Sequence, residues 1–236
     1  MTSLSELRFF KTPPHDCSYL PDKQATTLFV DPSATIDTNV YTALSAAGFR
    51  RSGEHIYRPY CEACGACIPV RVLAQEFHAA RRQKRNLKAN LDVVVKTQTP
   101  YFNEQYYALY ERYITKRHSD GDMYPPSREQ FQSFLIDGRK EAVFFELHLA
   151  NQLVGVAVVD QLNDGLSAIY TFFEPELSER GLGNFAVLWI IEETRRRSLP
   201  FVYLGYWIKQ CQKMSYKMDY QPLEMFINNQ WILMTK

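Results

Sequence analysis

The C-terminal half of the chain carries an ordered series of strand and helix signals, and this order restricts the folds that it can adopt. Three apolar, β-branched runs return over turn residues, and a glycine-containing loop then leads into a helix. The predicted elements, in order, are strands over 142–149, 153–162 and 166–173, a helix over 182–197, a strand over 201–204, a helix over 208–217 and a strand over 225–234. This alternation predicts a mixed α+β domain.

The N-terminal half predicts a smaller α+β unit. Its signals are a helix capped by Asp37, two short strands, a basic helix and a β-branched strand, at 37–47, 54–57, 69–74, 81–88 and 91–96. A change of composition at 97–100 is followed by apolar residues at helical spacing. We therefore predict two domains, 1–98 and 99–236, and the first of these contains the cysteine loop.

The composition argues against several classes of protein. Lys and Arg number 27 against 26 Asp and Glu, so the chain is not a strongly basic RNA-coating protein. No run of about 18 apolar residues exists, which argues against a membrane span. The first eleven residues lack the apolar stretch of a signal peptide. We therefore expect a cytoplasmic protein, and its oligomeric state stays open.

Arg180-Gly181-Leu182-Gly183 lies between a predicted strand and a predicted helix. Gly181 and Gly183 let the backbone approach a ligand, and free N–H groups at a helix start attract an anion such as phosphate. An ordinary strand-to-helix turn explains the same residues. Together with the strands and helices around it, the segment resembles the pyrophosphate-binding loop of GNAT acyltransferases, and the resemblance implies a GNAT-like C-terminal half.

The cysteines form a candidate metal site. Cys61, Cys64 and Cys67 make a double C-x-x-C, and Cys17 is the candidate fourth ligand. Thiolates at this spacing can hold a structural zinc ion or an iron–sulfur cluster. Buried thiols that pack as small apolar groups are the alternative. Cys211 is expected in the core, on the predicted helix over 208–217.

Two basic segments are candidate contacts for nucleic acid. Phosphate binding and a solvated surface both explain the first, which has five cations and no acidic residue: Arg81, Arg82, Lys84, Arg85 and Lys88. In the second, Lys209, Lys213 and Lys217 recur every four residues and would form one stripe on a helix. Tyr206 and Tyr216 flank this stripe.

A polar loop after the predicted helix at 106–118 contains His118 and Asp120. A histidine beside carboxylates can perform acid–base chemistry. A capping or surface histidine is the more common explanation.

Three motifs in order resemble those of the aminoacyl-tRNA–protein transferase family. They are Tyr57-Arg58-Pro59-Tyr60-Cys61 with Cys64, Cys67, Pro69 and Arg71; Leu109-Tyr110 with Arg112-Tyr113, Arg117-His118, Asp120-Gly121 and Met123; and Leu204-Gly205-Tyr206-Trp207-Ile208 with Cys211, Lys213-Met214 and Tyr216-Lys217. The resemblance covers nearly the whole chain and is to the short bacterial branch of the family.

The resemblance implies an enzyme that transfers leucine from leucyl-tRNA to proteins whose first residue is Asp or Glu, which marks them for N-end-rule degradation. Arginyl transfer by the same mechanism and acetylation by an acetyl-CoA-dependent GNAT enzyme are the alternatives. A zinc-bearing RNA-binding module would explain the cysteines but not the C-terminal half. An aminoacyl ester is already activated, so transfer needs no cofactor. The acceptor α-amine has a pKa of about 7.7–8.0, so a useful fraction is nucleophilic at neutral pH.

Candidate roles follow from this reaction. Arg58 and Arg71 would bind the acidic side chain of the acceptor, because a guanidinium pairs with a carboxylate in bidentate fashion. Lys209 and Lys213 would lie behind them. The end of the tRNA would enter near Arg180, Gly181 and Gly183, where GNAT proteins hold coenzyme A. Asp120 is the candidate general base.

Overall fold

The computed structural model describes residues 4–234 as a mixed α+β fold, which confirms the predicted class. The α-helices are α1 (Thr38–Ala46), α2 (Arg81–Ala89), α3 (Glu104–Arg117), α4 (Arg128–Phe131), α5 (Leu182–Arg196) and α6 (Gln212–Ser215). A π-helical turn at Gln132–Ile136 continues α4, and 3-10 turns lie at Leu4–Glu6, Ala74–Glu76, Pro175–Arg180 and Tyr216–Asp219.

The strands are β1 (Phe9–Lys11), β2 (His15–Asp16), β3 (Gln24–Ala25), β4 (Thr27–Val30), β5 (Arg50–Ser52), β6 (His55–Pro59), β7 (Ile68–Leu73), β8 (Val93–Gln98), β9 (Ala142–Leu149), β10 (Gln152–Gln161), β11 (Gly165–Phe173), β12 (Phe201–Trp207), β13 (Leu223–Ile227) and β14 (Gln230–Met234).

An eight-stranded mixed sheet organises the molecule, in the order β14-β13-β7-β12-β11-β10-β9-β8. Strands β11 and β12 are parallel neighbours, and the other neighbouring pairs are antiparallel. Strands β7 and β8 precede position 99, so the sheet takes strands from both sides of the predicted boundary. The predicted domain boundary at residue 98 stays a prediction. The first residues of the predicted N-terminal domain, 1–3, and the last residues of the predicted C-terminal domain, 235–236, lie outside the described residues.

A four-stranded sheet, in the order β1-β4-β6-β5, packs with α1 around a second apolar core. Helix α1 begins where Asp37 accepts a hydrogen bond from the amide of Val40 at 2.8 Å, a normal N-cap. This core also includes Leu162 and Tyr203, which belong to the large-sheet half. The second core therefore packs against the large sheet.

A buried ion pair also joins the two parts of the chain. The guanidinium of Arg51 on β5 donates two hydrogen bonds to the carboxylate of Asp160 on β10, at 2.6 and 2.7 Å. The hydroxyl of Tyr41 donates a third, at 2.5 Å. Both charged side chains are fully buried, with 0% exposure. We call these three residues the paired junction.

Helix α3 matches its predicted spacing. Asn103 caps it by accepting from the amide of Gln105 at 2.7 Å. Its buried face packs against the large sheet and consists of Tyr106, Tyr107, Leu109, Tyr110, Tyr113 and Ile114. Within residues 4–234, no helix is long and apolar enough to cross a membrane.

The predicted helix over 208–217 is wrong. Strand β12 continues to Trp207 because Tyr206 and Trp207 pair with Pro69 and Ile68 on β7. Residues 208–211 then form a turn, and only the four residues of α6 are α-helical. Lys209, Lys213 and Lys217 therefore do not form a stripe.

The predicted single strand over 225–234 is also wrong, because it is a hairpin of β13 and β14. Asn228 and Asn229 form its two-residue turn, with φ values of 52° and 61°. Asparagine tolerates this left-handed backbone better than most residues.

Candidate active site

The large sheet opens where β11 and β12 separate. These parallel strands pair only over Gly165–Ser167 and Phe201–Tyr203. Beyond this point the guanidinium of Arg50 fills the gap, donating to the hydroxyl of Ser167 at 2.6 Å and to the carbonyl of Ala168. Gly205 makes room for it, because its φ is +77° and a Cβ there would lie 3.0 Å from Nε of Arg50. The gap therefore has a positive charge at its base.

Arg50 and its neighbour Arg51 have opposite environments. Consecutive side chains of a strand point to opposite faces, so Arg51 reaches Asp160 whereas Arg50 faces the gap. Within residues 4–234, Arg50 forms no ion pair, and its partners are neutral oxygens. The sequence contained this alternation, but it gave no reason to assign Arg50 to the site.

Lys217 is a second cation without a carboxylate partner in the described structure. It lies in the 3-10 turn after α6 and is 5% exposed. Its ammonium donates to the carbonyl of Tyr206 and contacts Sδ of Met214 at 3.3 Å. Burial, and then the charge of Arg50, lower the pKa of Lys217 to about 7. The predicted helix had placed this residue on an exposed face, so sequence reasoning missed it as a buried group.

Tyr206 connects this gap with a cavity on the N-terminal side. Its hydroxyl donates to the carbonyl of Gly48 at 3.0 Å, and its ring lies 6.4 Å from that of Tyr57. Tyr57 and Tyr206 both line a cavity of about 650 Å³. The carbonyl of Tyr206 is also the acceptor for Lys217. The cavity and the gap between β11 and β12 therefore meet at one residue.

The cavity is lined by cationic and neutral side chains. His15, Lys23 and Arg58 line it, and its lining within residues 4–234 contains no Asp or Glu. Arg58 is half-buried, donates to the carbonyl of Ala47 at 3.3 Å and lies 5.0 Å from the centre of the Phe49 ring. Its Nε is buried without a hydrogen-bond partner in the described structure. A buried donor without a partner favours an anionic ligand.

Cys17, Cys61, Cys64 and Cys67 line the same cavity. Within residues 4–234, however, no group of three or more His, Cys, Asp or Glu side chains has the geometry to hold a metal ion. Cys61, for example, donates to the carbonyl of Thr26 at 3.7 Å. The assignment of these four cysteines to a zinc or iron–sulfur site stays a prediction.

Burial, and to a lesser extent the nearby thiols, raise the pKa of the Cys67 thiol to about 12. Cys67 is therefore uncharged at neutral pH. Cys211 is among these neighbours, although we predicted it in the core of a helix in the other half. It is half-buried and is the N-cap residue of α6.

Arg71, the other predicted acceptor-binding arginine, is already paired. Its Nε donates to Glu224 at 2.6 Å, and its guanidinium lies 3.5 Å from the ring centre of Phe201 and 4.2 Å from that of Trp231. Arg71 and Arg58 therefore lie in different environments, and of these two arginines only Arg58 lines the cavity.

His118, Asp120 and Lys213 lie together at the surface. Lys213 donates to both carboxylate oxygens of Asp120 at 2.9 Å, and these hydrogen bonds lower the pKa of Asp120. His118 contacts the hydroxyl of Tyr113 at 3.3 Å, and burial lowers its pKa. An exposed carboxylate with a lowered pKa is a weak proton acceptor. The assignment of Asp120 as base stays a prediction.

Lys209 and Tyr216 are exposed on either side of α6. The ring of Tyr216 makes an edge contact with Tyr220 at 6.4 Å. Lys209 has no ion-pair partner within the described residues.

The glycine loop is held by α2. Side-chain amides of Asn86 and Asn90 donate to the carbonyl of Arg180 at 2.9 Å. Arg180 itself pairs with Asp92 at 2.8 Å. Gly181 adopts a φ of 60°, and the 15-residue helix α5 begins directly after it. Gly183 is in the first turn of α5, whose first N–H groups have no partner within the helix.

Helix α2 presents its cations to solvent. Gln83 and Asn90 face the protein and are buried. The five predicted tRNA-binding residues are exposed and form no ion pair within residues 4–234: Arg81, Arg82, Lys84, Arg85 and Lys88. Because α2 packs against α5, this surface lies beside the N-terminus of α5.

Comparison with known proteins identifies the class. The family model described as Arginine-tRNA-protein transferase, N terminus, matches residues 15–85, and that described as Arginine-tRNA-protein transferase, C terminus, matches residues 105–227. The chain therefore belongs to the aminoacyl-tRNA–protein transferase family and is an aminoacyltransferase, as the three motifs predicted.

Similar proteins carry a more specific name within this family. Aspartate/glutamate leucyltransferase of Marinobacter nauticus is 58% identical over 98% of both chains. The protein of the same name from Pseudomonas fluorescens is 53% identical over 99% of this chain and 100% of that one. Among solved structures, that of L-PGS from Bacillus licheniformis is 10% identical, with a TM-score of 0.46 over 61% of this chain and 47% of that one.

Proposed function

We propose that this protein transfers leucine from leucyl-tRNA to the N-terminal Asp or Glu of acceptor proteins, which marks them for N-end-rule degradation. The observation that carries the proposal is the identity of 53–58%, over nearly the full length, with proteins named aspartate/glutamate leucyltransferase. The cation-lined cavity supports the acidic acceptor independently of those names.

The acceptor terminus enters the cavity in this proposal. Its acidic side chain pairs with Arg58, whose buried Nε lacks a partner in the described structure. The neutral thiol of Cys67 adds no competing negative charge. An Asn or Gln side chain could not neutralise the guanidinium, and an unpaired buried charge costs about 2–5 kcal/mol. The cavity therefore selects for charge as well as for size.

The tRNA binds on α2 and the start of α5 in this proposal. The five exposed cations of α2 attract the phosphate backbone. The open N–H groups at the start of α5 add an anion site beside them. Arg180 offers no free charge to the tRNA, because its guanidinium pairs with Asp92. Its contribution is to position the glycine loop. The leucyl ester then reaches the gap between β11 and β12.

The C-terminal half is GNAT-like in this proposal. Support comes from its order of antiparallel strands β9, β10 and β11, the glycine loop, α5, and β12 parallel to β11. The diverging parallel pair provides a place for the two substrates to meet. Holding amine and ester together supplies much of the rate, because the ester is already activated.

A transfer assay tests the proposal. The protein is mixed with labelled leucyl-tRNA, arginyl-tRNA or acetyl-CoA and with peptides that differ only in the first residue: Asp, Glu, Asn or Gln. We expect leucine on the Asp and Glu peptides and at least about 30-fold less on the amides. Arginine transfer or acetylation in place of leucine transfer would refute the proposal.

A further inference from the structure

The amino group of Lys217 has an unusual set of contacts. One N–H donates to the carbonyl of Tyr206, and a second points to Sδ of Met214 at 3.3 Å. A neutral amine has two N–H groups and one lone pair, whereas an ammonium has three N–H groups. The two contacts therefore satisfy the neutral form and leave its lone pair free. An ammonium would retain a third donor without a partner in the described structure.

We propose that Lys217 is the general base, which takes a proton from the α-ammonium of the acceptor protein. This inference rests on the proposed function. Lys217 does not itself line the acceptor cavity, but it donates to the carbonyl of Tyr206, which does line it, and Arg50 fills the adjacent gap.

The groups that face Lys217 keep the neutral form accessible. Arg50 opposes protonation, while the thiols of Cys67 and Cys211 favour it more weakly. The ring centre of Tyr216 is 6.0 Å from Nζ. Burial dominates and lowers the pKa of Lys217 to about 7, close to that of an α-amine at about 7.7–8.0. Proton transfer between such groups is nearly balanced.

The proposed step conserves protons and charge. Neutral Lys217 takes one proton from the α-ammonium and becomes an ammonium. The free amine attacks the ester carbonyl of leucyl-tRNA, so that a C–N bond forms. The C–O bond to the tRNA ribose then breaks, and the leaving oxygen takes the second proton of the amine nitrogen. Lys217 releases its own proton to solvent before the next cycle.

Single-turnover transfer at saturating leucyl-tRNA tests the proposal. We expect Lys217→Met to lose about 100-fold or more at pH 7, as removal of a general base does. The loss should shrink at least about tenfold at pH 9, because the acceptor amine is then already neutral. Lys217→Arg should lose as much as Lys217→Met, since a guanidinium cannot accept a proton. The binding constant for leucyl-tRNA should not change.

Lys140→Met is the matched control, because Lys140 is exposed and has no role assigned above. If Lys217→Met does not fold, as judged by thermal unfolding, Lys217→Gln and Lys217→Arg provide the same comparison. Full activity of Lys217→Arg, or a loss equal at pH 7 and pH 9, would overturn the proposal. Failure of the wild-type protein to transfer leucine would instead refute the proposed function, and this inference with it.

Discussion

Two adjacent arginines divide the molecule into regions of different character. Arg51 belongs to the paired junction, where Asp160 and Tyr41 satisfy its charge in a fully buried setting. Arg50 points to the other side of the strand, into a region that it shares with Lys217 and Arg58. The described residues supply no carboxylate partner to Arg50 or Arg58, which we call the unpaired cations.

The difference indicates which charges stabilise the fold and which are available to a ligand. A buried ion pair that is fully hydrogen-bonded fixes the relation of two elements, and it has no capacity left for a substrate. Unpaired cations are costly in the free protein, and an incoming anion relieves that cost. Substitutions in the paired junction should therefore change stability, and substitutions of Arg58 should change substrate selection.

The largest effect is expected from Asp160→Ala. Removing the carboxylate leaves Arg51 buried and unpaired, which should lower the free energy of unfolding by about 3–5 kcal/mol. Urea denaturation followed by circular dichroism measures this loss. Asp122→Ala, at an exposed position, is the control and should be close to wild type. A loss below about 1 kcal/mol for Asp160→Ala would remove the distinction between the regions.

Arg58→Met should change selectivity rather than folding. Without the cation, kcat/KM for an Asp peptide should fall by about 30-fold or more, whereas that for an Asn peptide should change little. Arg195→Met, in the last turn of α5, serves as control because its partner Glu192 is exposed. An equal loss on both peptides would assign Arg58 to packing against Phe49 rather than to charge recognition.

Glu224→Gln tests a paired cation of intermediate burial. Arg71 would lose its 2.6 Å charged partner but keep the rings of Phe201 and Trp231. We expect a loss of about 1.5–3 kcal/mol in the free energy of unfolding, which is typical of a charge-assisted hydrogen bond. The ratio of Asp to Asn peptide transfer should stay constant. A change in that ratio would indicate that Arg71 contributes to acceptor binding.

The smallest effect is expected from single cations of α2. Arg85→Ala should weaken tRNA binding modestly and reduce the slope of log binding constant against log salt by about one unit or less. Filter binding at several salt concentrations measures the slope, and Arg195→Ala is the control. An unchanged slope for substitutions of all five cations of α2 would indicate that this surface is solvated and does not bind the tRNA.

Local patterns predicted much of the fold. The spacing of Tyr106, Tyr110 and Tyr113 predicted α3, because their shared face is buried against the sheet. The β-branched runs predicted β9 to β11 within about one residue at each end. Contacts between distant segments were not predictable in this way. Pairing of Tyr206 with Pro69 extends β12 and abolishes the predicted helix.

Contacts between distant segments also limited how much of the site could be predicted from the sequence. The sequence identified Arg58 and Tyr206, which line the cavity, from the family motifs. It placed Lys217 on an exposed stripe, although the turn after β12 buries this residue. It offered no means to see that Arg71 is neutralised by Glu224, which lies 153 positions away. Basic residues that look equivalent in the sequence differ in the structure because different groups pair with them.

A crystal structure of the protein with a short peptide that begins with Asp tests directly whether Arg58 recognises the acceptor. We expect the peptide terminus to occupy the cavity lined by Tyr57, Arg58 and Tyr206. Its side-chain carboxylate should lie within hydrogen-bonding distance of the Arg58 guanidinium. A peptide bound outside this cavity, or with its carboxylate on Arg71 after displacement of Glu224, would contradict the account.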